Sequence, residues 1–457
     1  MIMIPFSTVV NRVFTGPLGR EKEFDIKLVA GKLKEVVKKY DITYDPENPV
    51  PSDDALADRV FEAGLEFYTE VGTYCPDTER RIVFTRDELV EALVTAPENP
   101  VFGKGKEAKA FVARKPESSV PPWCFLGTAG GPVSTEEIYL QIVQAHAEIP
   151  FCDAITAPPL TTNNGLRIRA GSPLEVLATI RAAVLAEEAF RMAGRPGLPI
   201  MNGIATGSSA TGKISGAHYL EPHHSYAVAS QSEFKITFEK LNEIAFLTSV
   251  GARISGETAP LLGGFAGGPA TVAVANAAYH LMAMVILRGS FQLTLPTHFM
   301  YKSNSSRELL WAMSVSSQAI SRNSHFSHLN DCYVSAGPMT DMCFYEIANE
   351  VITSVVSGAS LEIVATAHGT LVDHSSPMEP KLAAEIGHAA AGMTRKEAND
   401  IVKYYLGKYE KQLADAPPGK KYQECYDTYT NTPCEAYQEM YYRFKNELKD
   451  KGLVFKY

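Results

Sequence analysis

From about residue 122 onward, short apolar runs alternate with amphipathic segments of helical period. Apolar runs without polar alternation predict parallel strands covered on both faces, and the segments between them supply the crossover helices. The predicted strands are Trp123–Gly127, Cys152–Ala157, Leu198–Gly203, Phe234–Thr237, Ala252–Gly256, Phe291–Leu295, Cys332–Ala336 and Leu361–Ala365. The predicted helices include Pro173–Met192, Glu239–Val250, Pro269–Leu287, Ser306–Arg322, Asp341–Ser357 and Lys381–Ala391. About eight such units fit a (β/α)8 TIM barrel.

The two ends of the chain predict helices outside the barrel. Capping boxes at Thr85–Glu88 and Thr394–Glu397 mark helix starts, and a last helix is expected near Cys434–Lys449. We therefore expect an N-terminal helical cap over residues 1–120, a barrel over 121–393 and a C-terminal helical extension over 394–457, packed as one compact unit.

Composition narrows the class of protein. The 457 residues are 45% hydrophobic and carry a net charge of -9, which disfavours nucleic-acid binding. Seven cysteines, none in a CxxC pair, indicate a reducing compartment, and the N-terminus has no signal-peptide pattern, so we expect a cytoplasmic protein. The most apolar stretch, Pro269–Leu287, contains Asn276 and His280 and is interpreted as a buried helix rather than a membrane span.

Polar residues near the ends of the predicted strands are the candidates for chemistry, because barrel enzymes act at the carboxyl ends of their strands. Each has a structural alternative as a helix cap, a turn residue or a hydrogen-bonded core histidine. They are Asn202, Glu233, Glu257, His298, Asp331, Tyr333 and His368.

Two further features carry weaker functional hypotheses. His218, His223 and His224, beside Glu221, are residue types that bind zinc, but their spacing matches no zinc motif and a surface or lid loop is the alternative. The glycine-rich Gly263–Gly268 has no phosphate-loop pattern and predicts a turn before the helix at Pro269.

Several short segments, in order over nearly the whole chain, resemble the monomethylamine:corrinoid methyltransferase family of methanogenic archaea. They are AGRPG at Ala193–Gly197, GGFAGG at Gly263–Gly268, AGP at Ala336–Pro338, QECYD at Gln423–Asp427, Tyr74-Cys75 with Asp77-Thr78, Ser305–Glu308 and Gly452–Phe455. The resemblance implies a homo-oligomeric barrel that passes a methyl group to cobalt(I). It also implies that the corrinoid (cobalamin) is carried by a separate protein docked at the barrel mouth, and this chain lacks a corrinoid-binding Asp-x-His-x-x-Gly.

The sequence departs from that family where the family carries pyrrolysine. Aligned on the following glycine, Asn202 (or Met201, with a one-residue gap) takes its place, and an amide has no electrophilic imine to capture an amine. By the same resemblance, Glu233 and Glu257 match family glutamates, Asp331 replaces a glutamine, and Tyr333 and His298 are retained. The candidate substrate-binding residues are Asn202, Met201, His298, Tyr301, Cys332 and Tyr333.

Loss of the imine with retention of the acids suggests a different methyl donor. We expect a methoxylated aromatic compound and O-demethylation, as in pyrrolysine-free relatives of acetogenic bacteria and methoxydotrophic archaea. Glu233, Glu257, Asp331 or a histidine would donate a proton to the ether oxygen, or bind a zinc ion that polarises it. The alternative is a betaine or methylamine, with Tyr279, Tyr301 and Tyr333 as members of an aromatic cage. A third hypothesis, from a different class, is a sensor or scaffold that binds a corrinoid protein without turnover.

Overall fold

The computed structural model describes residues 4–127, 131–204, 206–216, 221–230 and 233–455, with the backbone alone at 202–204 and 363. Its largest sheet is parallel and has eight strands: β1 (Cys124–Gly127), β2 (Ala154–Ala157), β3 (Ile200–Ile204), β4 (Ser225–Ala229), β5 (Arg253–Thr258), β6 (Phe291–Thr294), β7 (His328–Tyr333) and β8 (Ser360–Ala365). The spatial order is β4-β5-β6-β7-β8-β1-β2-β3, and the two end strands lie side by side. Ser225 Oγ donates to Met201 O across that junction, and Ile200 N donates to His224 Nδ1 at 2.9 Å. The sheet is thus a nearly closed barrel.

Helices surround the barrel, and further helices precede its first strand and follow its last crossover helix. Before β1 lie α1 (Phe6–Thr15), a π-helix (Phe24–Gly31), α2 (Lys32–Lys39), α3 (Asp54–Val71) and α4 (Arg86–Thr95). The crossover helices are α5 (Glu136–Glu148), α6 (Pro173–Met192), α7 (Ala210–Gly216), α8 (Phe238–Ser249), α9 (Pro269–Val285), α10 (Arg307–Asn323), α11 (Asp341–Val356) and α12 (Met378–Ala390). After them come α13 (Arg395–Tyr409) and α14 (Glu435–Asp450). One helix follows each strand, which confirms the predicted (β/α)8 barrel.

Small ladders decorate this framework. Antiparallel pairs join Thr73–Cys75 with Arg80–Ile82, Val101–Phe102 with Lys109–Ala110, Thr162–Asn163 with Leu166–Arg167, and Tyr426–Asp427 with Thr432–Pro433. Leu261–Leu262 pairs in parallel with Thr297–His298 at the carboxyl ends of β5 and β6. The remaining short helices are Glu21–Glu23, Gly105–Glu107, Ala367–Gly369, Glu410–Asp415 and Tyr422–Cys425.

Apolar side chains fill the barrel interior near the amino ends of the strands. Met201, Phe125, Phe291 and Leu329 pack there with Phe102, Phe111 and Trp123 from the segment before β1 and from its entry. The Ser225 and Ser255 hydroxyls bond Met201 O beside this filling. Barrel enzymes place their chemistry toward the carboxyl ends of the strands.

The helix α9 is buried over its whole circumference, because α3 and α10 cover the face turned away from the barrel. Gly268 lies at its N-cap and Pro269 at its first position, as the glycine-rich turn predicted. In the part of the chain that the structure describes, no helix is long and apolar enough to cross a bilayer.

Two predicted strands are wrong. Phe234–Thr237 is extended but pairs with the N-terminal hairpin: Tyr74 N donates to Phe234 O, and Ile236 N donates to Tyr74 O, both at 2.9 Å. The barrel strand is Ser225–Ala229 instead. The strand predicted at Cys332–Ala336 begins four residues earlier, at His328. The apolar pattern missed this start because the strand contains Asn330 and Asp331, which are polar but buried in the structure.

Candidate active site

Two carboxyl groups lie side by side inside the barrel. Asp331 on β7 is directly opposite Glu362 on β8, and their side chains share a hydrogen bond. Asp331 is 4% exposed and Glu362 3% exposed. Both face the interior, since Leu329, two residues before Asp331, and Phe125, paired with Glu362, belong to the apolar filling of the barrel.

Their pKa values follow from this burial. Burial raises the pKa of Asp331 to about 7; the hydrogen bond from Glu362 acts in the opposite direction, and the charge of Glu257 adds to the rise. The pKa of Glu362 is raised well above its usual range by burial and then by the charges of Asp331 and Glu257. Two adjacent buried carboxyls cannot both ionise cheaply, so the pair retains a proton at neutral pH.

Glu257 and Tyr333 complete the acidic side of this chamber. Glu257 lies one residue before the end of β5, and its charge acts on Asp331, Glu362 and Tyr333 alike. Burial is the first cause that raises the pKa of Tyr333, followed by the charges of these three acids. The backbone of Tyr333 is fixed by Asn304, whose Oδ1 accepts from Tyr333 N at 2.9 Å. Three acids and one phenol therefore face a common space.

Lys213 on α7 is a positively charged side chain that interacts electrostatically with Glu257. Its Nζ donates to the carbonyl of Ala227 on β4 at 3.2 Å. Burial lowers the pKa of Lys213, while the charges of Glu243 and Glu257 act in the opposite direction. The lysine thus reaches from outside the barrel toward Glu257.

Glu233 occupies a different charge environment. It lies in a turn after β4 with φ of 65°, and Phe234 N beside it donates to the hydroxyl of Tyr279 at 3.0 Å. Burial raises the pKa of Glu233, with Lys235 acting against it and Asp25 adding to it. The structure therefore groups Glu257 and Asp331, and places Glu233 toward the N-terminal segment.

The other candidate residues lie at different depths. Met201 belongs to the apolar filling below the acids. Cys332 faces α11, where it lies against Glu350 and Cys343. Asn202 is within β3, but its side chain is outside the described residues.

His298 and Tyr301 lie on the loop after β6, at the barrel mouth. Their rings stack with centroids 4.1 Å apart, and His298 Nδ1 accepts from Met300 N at 3.1 Å. His368, on the loop after β8, lies against the backbone of Tyr301 and Lys302. The two histidines therefore order the loops of the mouth.

The imidazoles considered for zinc have other roles. His224 is buried and accepts from Ile200 N, and His223 Nδ1 lies 3.4 Å from Glu221, which is paired with Lys104. Over the described ranges, no three His, Cys, Asp or Glu side chains are arranged to hold a metal ion. His218 lies outside the described residues.

Glu362 and Lys213 are the site residues that the sequence analysis missed. Glu362 lies inside the predicted strand Leu361–Ala365, and an acid within an otherwise buried strand is a usable signal. Lys213 has no comparable signal, because only the packing of α7 brings it to the barrel.

A (β/α)8 barrel with acidic side chains grouped in its interior has the architecture of a TIM-barrel enzyme. A profile of the family "Monomethylamine methyltransferase MtmB" matches residues 6–453. The chain is 33% identical to monomethylamine methyltransferase MtmB3 of Methanosarcina barkeri over 95% of this chain and 94% of the relative. It is also 33% identical to MtmB of Methanosarcina mazei, over 97% of each.

Solved structures agree with the sequence matches. The crystal structure of Methanosarcina barkeri monomethylamine methyltransferase MtmB superimposes with a TM-score of 0.94 at 31% identity, over 98% of both chains. A hydroxylamine complex of MtmB gives the same values. The chain belongs to the monomethylamine methyltransferase family.

This family membership corrects one expectation. We expected an O-demethylase acting on a methoxylated aromatic compound, and the family profile and the curated relatives are instead monomethylamine methyltransferases. The expectation rested on one strand position, whereas the similarity extends over nearly the whole chain.

Proposed function

We propose that this protein transfers a methyl group from a methylated amine bearing N–H groups to the cobalt(I) of a corrinoid carried by a separate protein. Family membership over nearly the whole chain supports the reaction class. The observation that carries the substrate class is the acid-lined chamber of Glu257, Asp331 and Glu362.

The charge of this chamber favours a cationic ligand. In the described part of the chain, no Lys or Arg side chain forms a salt bridge with Glu257 or Asp331. Buried carboxylates need a positive partner, because isolated ions are costly in a low dielectric. A methylammonium ion supplies that charge, whereas a neutral donor does not.

The lining favours an ammonium ion with N–H groups over a quaternary one. Carboxylate oxygens accept hydrogen bonds, while a quaternary nitrogen is usually held by aromatic faces. Of the tyrosines considered for a cage, Tyr279 stacks on Phe234 at 3.9 Å and Tyr301 stacks on His298, so Tyr333 is the one beside the acids.

The chemistry requires no imine. A protonated amine already carries its leaving-group proton, so cobalt(I) attacks the methyl carbon, the C–N electron pair returns to nitrogen and a neutral amine departs. The acids fix the ammonium nitrogen and point the C–N bond toward the mouth. The proposed reaction needs no covalent capture at position 202, where an amide has no electrophilic imine.

The rim of the barrel provides a surface for the corrinoid protein. Phe299 and Met300 on the loop after β6 are 63% and 74% exposed, and Phe265, Leu371 and Val372 are exposed on the loops after β5 and β8. Clustered exposed apolar side chains at a site entrance are typical of a protein contact.

The test compares methyl donors in the presence of the cobalt(I) corrinoid partner. The readout is the visible spectrum of the corrinoid, which reports methyl-cobalt(III). Monomethylamine is expected to form methyl-cobalt(III) and release ammonia, while glycine betaine, methanol and an aryl methyl ether give none. Reaction with betaine but not with monomethylamine would overturn the N–H requirement. If none of these donors reacts, the enzymatic proposal fails.

A further inference from the structure

We propose that Asp331 and Glu362, termed here the acid pair, exchange a proton for the substrate cation: the pair holds one proton in the empty barrel and releases it to solvent when an ammonium nitrogen binds between the carboxylates. This inference rests on the proposed function for the identity of the cation. It assigns the pair a role in substrate selection that precedes methyl transfer.

The geometry of the strands brings the two carboxyls together. The ladder between β7 and β8 is regular up to Asp331 and Glu362 and then shifts, so that Cys332 pairs with Val364. Such a bulge re-aims side chains at a site. Over the described ranges Asp331 Oδ1 is buried without a hydrogen-bond partner, although carboxylate oxygens in a folded interior are normally satisfied.

The charges around the acid pair are mostly of one sign. Glu257 faces it from β5, Tyr333 lies beside it on β7, and Glu350 acts on Asp331 from α11 behind that strand. Lys213 from α7 approaches Glu257. The side chains that neighbour the pair on β1 and β2, Phe125 and Ala154, are apolar. A proton or another cation must therefore balance the pair.

The protonation states agree with this exchange. Burial raises the pKa of Asp331 to about 7 and that of Glu362 well above its usual range, so a proton is present before binding at neutral pH. Methylammonium adds one positive charge to the chamber, and the departing proton removes one. The charge of the chamber is unchanged, and no covalent bond to carbon is made or broken in this step.

Calorimetric titration of the full chain with methylammonium chloride, without the corrinoid partner, tests the exchange. At pH 8, where Asp331 with a pKa of about 7 is mostly ionised and the remaining proton of the pair lies on Glu362, we expect close to one proton released per cation bound in three buffers of different ionisation enthalpy, and affinity that rises with pH by up to about tenfold per pH unit. Binding without proton release would overturn the proposal, as would absence of binding up to tens of millimolar.

Two variants and two controls sharpen the result. In Glu362→Gln the proton release should fall to near zero and the pH dependence of affinity should flatten; Asp331→Asn, which leaves the buried Glu362 in place, should keep the release and lower the affinity for methylammonium. The exposed Glu98→Gln should release as much as the parent protein. Methanol, a neutral probe of similar size, should release none, and release with methanol would contradict a cation-driven exchange.

This experiment separates the inference from the proposed function. Methyl transfer from monomethylamine without proton release on binding would remove the exchange and leave the function intact. Proton release on methylammonium binding, with no methyl-cobalt(III) formed by the active corrinoid partner, would preserve the exchange and remove the methyltransferase assignment.

Discussion

Asp331 and Glu362 make the ionised barrel costly to fold. Burial raises the pKa of Asp331 to about 7, whereas carboxyls in an unfolded chain ionise near pH 4. A raised folded-state pKa means that the unfolded chain releases its protons first. Stability is therefore complete at pH below the unfolded value and is lost as pH rises from about 4 to about 7.

We therefore predict that Asp331→Asn stabilises the protein at pH 8, because the remaining Glu362 no longer faces a second carboxyl. The melting temperature should rise by about 2 °C or more at pH 8, and the gain should disappear near pH 4. Thermal melts at the two pH values, with Glu98→Gln as the exposed control, check this. A lower melting temperature at pH 8 would indicate that the aspartate is stabilising instead.

At the level of single residues, the sequence identified part of the chamber. Glu257, Asp331 and Tyr333 were predicted from strand ends, and the structure brings them together. Cys332 was misplaced because alternation along β7 turns it toward α11. Glu362 and Lys213 were missed, since a strand's inward face and a helix's reach depend on tertiary packing.

At the scale of elements, Glu175 links the start of α6 to the start of α7. Ser172 caps α6, and the Glu175 carboxylate accepts from the backbone of Gly171, Ser208 and Ser209 and from both serine hydroxyls. Although burial acts to raise it, these bonds lower the pKa of Glu175 to about 2. The glutamate thereby holds the loop that carries α7 and Lys213.

Glu175→Gln should destabilise the fold by about 3 kcal/mol at pH 7, because a charged acceptor of several hydrogen bonds is lost. The depressed pKa makes this stabilisation present above about pH 4.5 and lost as pH falls toward 2. Denaturant unfolding at pH 7 and pH 3 should show a deficit that shrinks at the lower pH. A deficit of equal size at both would show that charge is not the cause.

The packing of α3 on α9 depends on Gly64. A Cβ there would lie 2.9 Å from Ala277 Cβ and 3.1 Å from Ala278 N. Gly64→Ala should cost about 1–3 kcal/mol through overpacking. Gly407 on α13 is the matched control: nothing lies within 4 Å of its added Cβ, so Gly407→Ala should stabilise by about 0.5–1 kcal/mol. Equal effects at both sites in denaturant unfolding would contradict the close helix contact.

Strand prediction failed for a segment that is extended but does not pair within the barrel. Phe234–Thr237 has the pattern of a strand and is extended, yet it pairs with the hairpin at Tyr74. The barrel strand β4, Ser225–Ala229, begins with a serine that bonds Met201 across the barrel junction. Periodicity reports that a segment is extended, but it does not say which strand it pairs with.

For the whole molecule, eight alternations of strand and helix were sufficient to predict the barrel. The methyl donor was beyond the sequence pattern. The change at the position of Asn202 suggested a different donor, whereas under the proposed function the substrate class depends on the charge of the entire chamber. That charge comes from β5, β7 and β8, which only the closed sheet brings together.

The most direct test of this account is kcat/KM for monomethylamine with the cobalt(I) corrinoid partner, compared between the parent protein, Glu362→Gln and the exposed control Glu98→Gln. If the acids hold the ammonium ion, Glu362→Gln should lower kcat/KM by about 100-fold, the equivalent of one charge-assisted contact of about 3 kcal/mol, and Glu98→Gln should have no effect. An unchanged kcat/KM in Glu362→Gln would contradict the assignment of the barrel's acid chamber as the amine site.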